Sequence, residues 1–168
     1  AGYILGRLVN SKEPRKIALL AGSLAYRGHE EREMGFRHVL AEDYPNLQIV
    51  ELREVRDDRE KAFTETSAVL DRHEDLAAIY NIGAGNAGIG RALKQRDRQR
   101  NVIFIAHEFT DSSKSLLLDG TIDALIDQNP RVEARETLNL LCNSIRGQPT
   151  DYHGPRLQVI FRENIPEY

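Results

Sequence analysis

The chain has 168 residues, 40% hydrophobic and 29% charged, with a formal net charge of -3. That length suits one domain with a real core, and charges so nearly balanced give no electrostatic case for wrapping nucleic acid or coating an anionic membrane. A single cysteine, Cys142, excludes an intrachain disulfide.

In chain order, Ile4, Leu5, Leu8 and Val9 form one helical face over residues 2–9. A helix that opens without a capping residue is expected of the later part of a longer protein. Residues 10–15, with Pro14, read as a loop. Residues 17–21, IALLA, are an unbroken apolar run, the pattern of a strand buried on both faces, and Gly22 and Ser23 stop it. A charged helix follows from His29, with Met34, Phe36, Val39 and Leu40 on its apolar side; Tyr44, Pro45 and Asn46 end it. Residues 47–52 alternate apolar and polar, as in a strand near a sheet edge. After a charged loop, Asp57 or Asp58 is expected to cap a helix over 60–73, which turns Ala62, Phe63, Thr66, Val69 and Leu70 inward.

Residues 76–82 read as the next buried strand, Gly83 to Asn86 as a turn, and 87 to about 98 as a helix. An apolar strand over 102–106 ends at His107 and Glu108. Thr110, Asp111 and Ser112 cap a short helix through Leu118, and a strand over 122–126 ends at Asp127 and Gln128. Pro130 sits in the first turn of a long helix over 132–146, stopped by Gly147. A turn-rich connection over 148–155 and a last strand over 157–162 complete the chain. Strands and helices alternate throughout, which predicts a doubly wound, mostly parallel α/β sheet.

Ligands of such sheets bind beyond the carboxyl ends of the strands. Arg32, the Gly83–Asn86 turn, His107 with Glu108, and Gln128 all follow a strand. A guanidinium, a carboxylate and an amide together suit a polyhydroxylated small molecule, because the carboxylate accepts from hydroxyls while the other two donate. Each group also has a plainer reading. Arg32 sits among Glu30, Glu31, Glu33 and Arg37 on what reads as a solvated helix face, and Gln128 is placed to cap the following helix. Gly83-Ala84-Gly85 resembles a phosphate cradle but lacks the third glycine of a dinucleotide fingerprint, so a tight strand-to-helix turn explains it as well. The histidines at 29, 38, 73, 107 and 153 have no HExxH or CxxC companions, and Ser23 lies in no GxSxG. No catalytic residue, metal or cofactor is therefore expected. The run Arg91, Lys94, Arg96, Arg98 and Arg100 reads as a solvated helix end, and Cys142, within LNLLCNSI, as a buried inert thiol. No apolar run reaches the length of a membrane span and no signal peptide is visible, so a cytoplasmic protein without a membrane partner is expected.

LLAGS followed by Arg32-Glu33-Met34-Gly35-Phe36 (RxxGF) resembles the sugar-sensing domain of LacI-family transcriptional repressors, a domain shared with periplasmic sugar-binding proteins. HEDLAAIYNIGAG, VIFIAHEFT and LLLDGTIDALIDQNP resemble the same domain in the same order. The resemblance implies two α/β lobes around a cleft, with residues 1–128 as the second lobe, 129–148 as a helix of the first lobe, and 149–168 as a return strand and tail. It implies a sugar or polyol effector, with Arg32, Glu108 and Gln128 as ligand residues. The family's Asn or Asp after the middle strand falls on Gly83, with Asn86 as a substitute, and Tyr26 and Asp57 lie in loops that often supply contacts. It further implies a homodimer, with Ile89 and Leu116 as apolar contacts, and DNA binding only through a headpiece absent from this chain. A solute-binding protein of a sugar ABC transporter is the alternative. An enzyme, of a nucleotide-dependent kind, resting on the Gly83–Asn86 turn is the third reading.

Overall fold

The computed structural model describes residues 1–150 and 156–166. The elements run α1 (Gly2–Val9), β1 (Arg15–Ala21), α2 (Arg27–Asp43), β2 (Leu47–Glu54), α3 (Arg59–Arg72), β3 (Leu76–Asn81), α4 (Asn86–Gln95), β4 (Ile103–His107), α5 (Asp111–Leu118), β5 (Ala124–Asp127), α6 (Pro130–Ile145) and β6 (Gln158–Ile160). The strand order is β2-β1-β3-β4-β5-β6. Neighbours pair parallel except β5 and β6, which are antiparallel. This is the expected doubly wound, mostly parallel sheet, with β2 at one edge. Part of the expected connection over 148–155, residues 151–155, lies outside the described residues, as do 167 and 168.

Both faces of the sheet are covered because successive side chains of an extended strand point to opposite sides. Along β1, Ile17, Leu19 and Ala21 join a cluster with Leu5, Phe36, Leu40 and Tyr80, under α1 and α2. Ala18 and Leu20 point the other way, into a cluster with Val69, Ile79, Ile89, Leu93, Phe104 and Leu117, under α3, α4 and α5. A run with no polar alternation is what a strand buried twice requires.

The close seat of α4 on α3 depends on Gly88. A Cβ there would lie 2.1 Å from the Arg59 carbonyl oxygen and 2.9 Å from the Phe63 nitrogen, both backbone atoms that cannot swing aside. Gly88→Ala is therefore expected to destabilise the fold by about 2–3 kcal/mol, as overpacked helix contacts do, read as a lowered urea midpoint.

Several local expectations are corrected. Helix α4 ends at Gln95 rather than about 98, because the Arg98 amide turns back to the Leu93 carbonyl. Strand β5 starts at Ala124 rather than 122, since the amides of Thr121 and Ile122 both bond the Leu116 carbonyl to close α5. Asp58, not Asp57, caps α3, accepting from the Lys61 amide at 2.6 Å. Asn129, in the left-handed region at φ 56, caps α6, which frees Gln128 from that task. Met34 is exposed on α2, whose buried residues are Phe36 and Leu40 alone. Cys142 is exposed rather than buried: α6 has no buried residue, and Leu138, Leu141 and Ile145 also face outward. The basic run lies at the surface, as expected of a solvated helix end, but its cations are paired rather than free. Arg91 forks onto Glu60 and covers the Phe63 ring, Arg96 forks onto Asp71, Lys94 pairs with Asp119, and Arg98 and Arg100 donate to the Leu76 and Asp119 carbonyls. Those cations hold α4 and its following turn to α3 and the end of α5. No described helix is long and apolar enough to cross a membrane.

Candidate functional site

The parallel strands end together at one rim, and the residues just past them build a concavity of about 310 Å³. Arg32, in the second turn of α2, reaches over the sheet and donates from Nη1 to the Ile82 carbonyl at 2.8 Å, at the end of β3. That bond fixes the guanidinium plane and leaves its other N–H groups for a ligand. Glu108 follows β4 with φ 69, a left-handed backbone unusual for a residue with a Cβ. Its amide is anchored to the Ile126 carbonyl at 3.1 Å. Its Oε1 accepts from Gln128 Nε2 at 2.5 Å, so the acid and the amide past β5 orient one another. Tyr26 stands at the start of α2, largely exposed, its ring tilted against His29. Asp57 Oδ1 accepts from the Ala84 amide at 2.8 Å.

Arg32, Glu108, Gln128, Tyr26 and Asp57 thus line one concavity. Asn86 does not. Its side chain is buried, accepting from Asn81 Nδ2 at 2.7 Å and donating to the His107 carbonyl at 2.9 Å and Ser113 Oγ at 3.2 Å. The amide links β3, β4 and α5 inside the protein, because Gly85 starts α4 with its first residue turned toward the sheet. Ile89 is fully buried, and Leu116 is nearly so, seated against Gly90, so neither offers an apolar surface to a second copy. The turn over Gly83-Ala84-Gly85 holds no open anion cradle, since the Ala84 amide already meets the Asp57 carboxylate.

Beneath the rim His107 has a partner, Tyr80, that pattern reading passed over. Tyr80 on β3 and His107 at the end of β4 are hydrogen-bonded, Oη to Nε2, at 2.8 Å, and both are almost wholly buried. Burial pushes the Tyr80 hydroxyl up from its ordinary value, so it stays protonated. Burial, with a smaller push from Arg32, lowers His107 to about 3. His107 Nδ1 has no hydrogen-bond partner among the described residues. The imidazole lines the rim concavity and also a second hollow of about 340 Å³ walled by Phe36, Tyr80 and Ile126. The sequence signals were His107 at a strand end and a tyrosine within the buried strand β3. No group of three or more His, Cys, Asp or Glu among the described residues is placed to hold a metal ion.

A sequence profile of the periplasmic binding protein domain matches residues 1–149. A comparison with curated protein sequences gives no match. Among solved structures, the chain is similar to GanP, a glucose-galactose binding protein from Geobacillus stearothermophilus, with TM-score 0.85 and 22% identity over 99% of this chain and 60% of that one. It is similar to an ABC transporter solute-binding protein from Burkholderia graminis in complex with D-arabinose, with TM-score 0.89 and 22% identity over 99% and 59%. A third, from Agrobacterium vitis and bound to α-D-tagatopyranose, gives TM-score 0.84 and 23% identity over 97% and 56%. At these identities the likeness is one of fold, and the chain spans about three fifths of the length of each.

Proposed function

This chain belongs to the periplasmic binding protein domain family, and from that membership we propose that it binds a sugar or polyol at the strand-end rim. The observation that carries the reading is the convergence of Arg32, Glu108 and Gln128, far apart in sequence, on one concavity. The guanidinium and amide donate to ring and hydroxyl oxygens, and the free oxygen of Glu108 accepts from a hydroxyl. Residues 1–128 form one lobe of the binding unit in this reading, and α6, within 129–148, covers a second lobe. Two features support that division: α6 buries none of its residues here, and the matched structures are longer. Ligand would then be held between lobes, which explains why the rim is open.

The reading needs no bond-making residue, so the protein is proposed as a binding protein rather than an enzyme. The Asp57 carboxylate at the Ala84 amide also opposes a phosphate there. In one setting this lobe senses an effector for a LacI-type regulator, with a DNA-binding headpiece and a second copy as partners; the LLAGS and RxxGF motifs favour it. In the other it is the solute-binding protein of a sugar transporter, favoured by what the matched structures are described as binding. Both share the rim chemistry. Titration calorimetry with D-arabinose, D-glucose, D-galactose, D-tagatose and the alditols tests it: saturable heat with at least one is expected, and silence with all of them, alongside a thermal shift with a nucleotide, would overturn it.

A further inference from the structure

Resting on the reading of the rim as a sugar site, we infer that Asp127 is a positioning residue of that site, whose carboxylate clamps the loops of Glu108 and Gln128 to one another. Asp127 ends β5, is only 4% exposed and does not line the rim concavity. Its Oδ1 accepts from the Phe109 amide at 3.1 Å, and its Oδ2 from the Asn129 amide at 3.1 Å. Those amides belong to the residues directly after Glu108 and Gln128. One side chain therefore grips both strand-end loops, a single residue past each group that faces the rim.

Both loops need a grip. Glu108 at φ 69 and Asn129 at φ 56 are left-handed, a conformation that costs an L-residue roughly 1–2 kcal/mol and persists only where the surroundings over-determine it. Around Glu108, the His107 carbonyl accepts from Asn86 Nδ2 at 2.9 Å, the Glu108 amide bonds the Ile126 carbonyl at 3.1 Å, and the Phe109 amide bonds Asp127. Of these three anchors, only the Asp127 carboxylate also bonds the residue after Gln128. A carboxylate suits the task because both its oxygens are acceptors and its bonds from amides are charge-assisted. With both backbones fixed, Gln128 Nε2 meets Glu108 Oε1 at 2.5 Å, and the acid and the amide present themselves at the rim as one unit.

The experiment compares the whole chain as wild type, Asp127→Asn, Glu108→Ala and the double variant of the two. Asn keeps the volume and one oxygen but turns an N–H donor toward one of the two amides, so one grip is lost. The first readout needs no sugar: the Gln128 side-chain amide resonances in the nuclear magnetic resonance spectrum, displaced by the bond to Glu108. In Asp127→Asn they are expected to move to the position they take in Glu108→Ala. The second is titration calorimetry with D-arabinose, D-glucose, D-galactose and D-tagatose. Affinity for the sugar bound is expected to fall about tenfold in Asp127→Asn, the scale of one charge-assisted hydrogen bond. In the Glu108→Ala background the same substitution is expected to cost nothing further, because a residue that acts through Glu108 has nothing left to position. A sugar bound by the wild type while the Gln128 resonances stay unmoved in Asp127→Asn overturns the clamp and leaves the sugar site standing. Equal losses of affinity with and without Glu108 overturn it also, since a general loosening of the fold would give them. No sugar bound by the wild type overturns the sugar reading and the part of Asp127 in it. Should Asp127→Asn fail to fold, the wild type decides by hydrogen exchange: amides of Phe109 and Asn129 protected about 100-fold or more support the clamp, and either one exchanging as freely as an open loop overturns it.

Discussion

Arg32→Ala is expected to weaken binding of the sugar proposed for the rim by about 100-fold or more while leaving the fold intact. The guanidinium is positioned before ligand arrives, through its bond to the Ile82 carbonyl, so its remaining N–H groups lose little freedom on binding. Hydrogen bonds from a charged donor are worth about 1.5–3 kcal/mol each, and tenfold in affinity is about 1.4 kcal/mol, so losing two such bonds exceeds 100-fold. Arg32 is half-buried and lies outside both hydrophobic clusters, and the Ile82 carbonyl at the open rim can turn to water. The melting temperature should therefore barely move. Arg32→Lys is expected to recover little, because one ammonium on a flexible stem does not reproduce a planar fork. Calorimetry checks both variants; affinity unchanged in Arg32→Ala would remove this residue from the site.

The second large effect is on stability in mild acid. His107 has an ordinary pKa near 6.5 in the unfolded chain and is lowered to about 3 in the fold by burial, with Arg32 adding to the effect. Between those two values the unfolded chain binds a proton that the folded one refuses, so stability falls as pH falls. The loss is about 1.4 kcal/mol per pH unit from just below pH 6.5 toward pH 3 and is absent above pH 7. His107→Gln retains a hydrogen-bonding partner for Tyr80 but cannot take up the proton. The gap between the urea unfolding free energies of wild type and variant is expected to shift in the variant's favour by about 2 kcal/mol between pH 6.5 and 5. Comparing the two proteins cancels the carboxylates, which titrate in both. Parallel pH profiles would show that His107 carries no such burden.

Much of the rim could be read from the chain because its signals are local. Glu108 and Gln128 directly follow apolar strand runs, and Arg32 sits early in the helix after another, so parallel strands bring all three to the same edge whatever lies between them. Asp57 was legible as a possible helix cap and, through the resemblance, as a loop residue able to supply a contact, but not in its conformation. Its seat depends on Gly22 and Gly83, which lie just past the ends of β1 and β3, and on a left-handed backbone that no composition signals. Asn86 misled because a polar residue at a helix start looks free until its partners, Asn81, Ser113 and the His107 carbonyl, arrive from elsewhere. Ile89 and Leu116 misled for the converse reason. An apolar helix position does not reveal whether it faces the sheet or a second molecule, and here both face inward.

The sequence by itself determined the alternation of strand and helix, the twofold burial of the sheet and the rim at which the parallel strands end. Those follow from side-chain periodicity and the right-handed parallel crossover, which act over a few residues at a time. Only the tertiary structure decided which polar groups look outward at that edge. It turned Asn86 inside, joined Tyr80 to His107 below the rim, lodged Asp57 between two glycines and left Cys142 and the apolar side of α6 uncovered. Orientation of that kind is set by contacts between residues tens of positions apart, and periodicity along the chain carries no record of them.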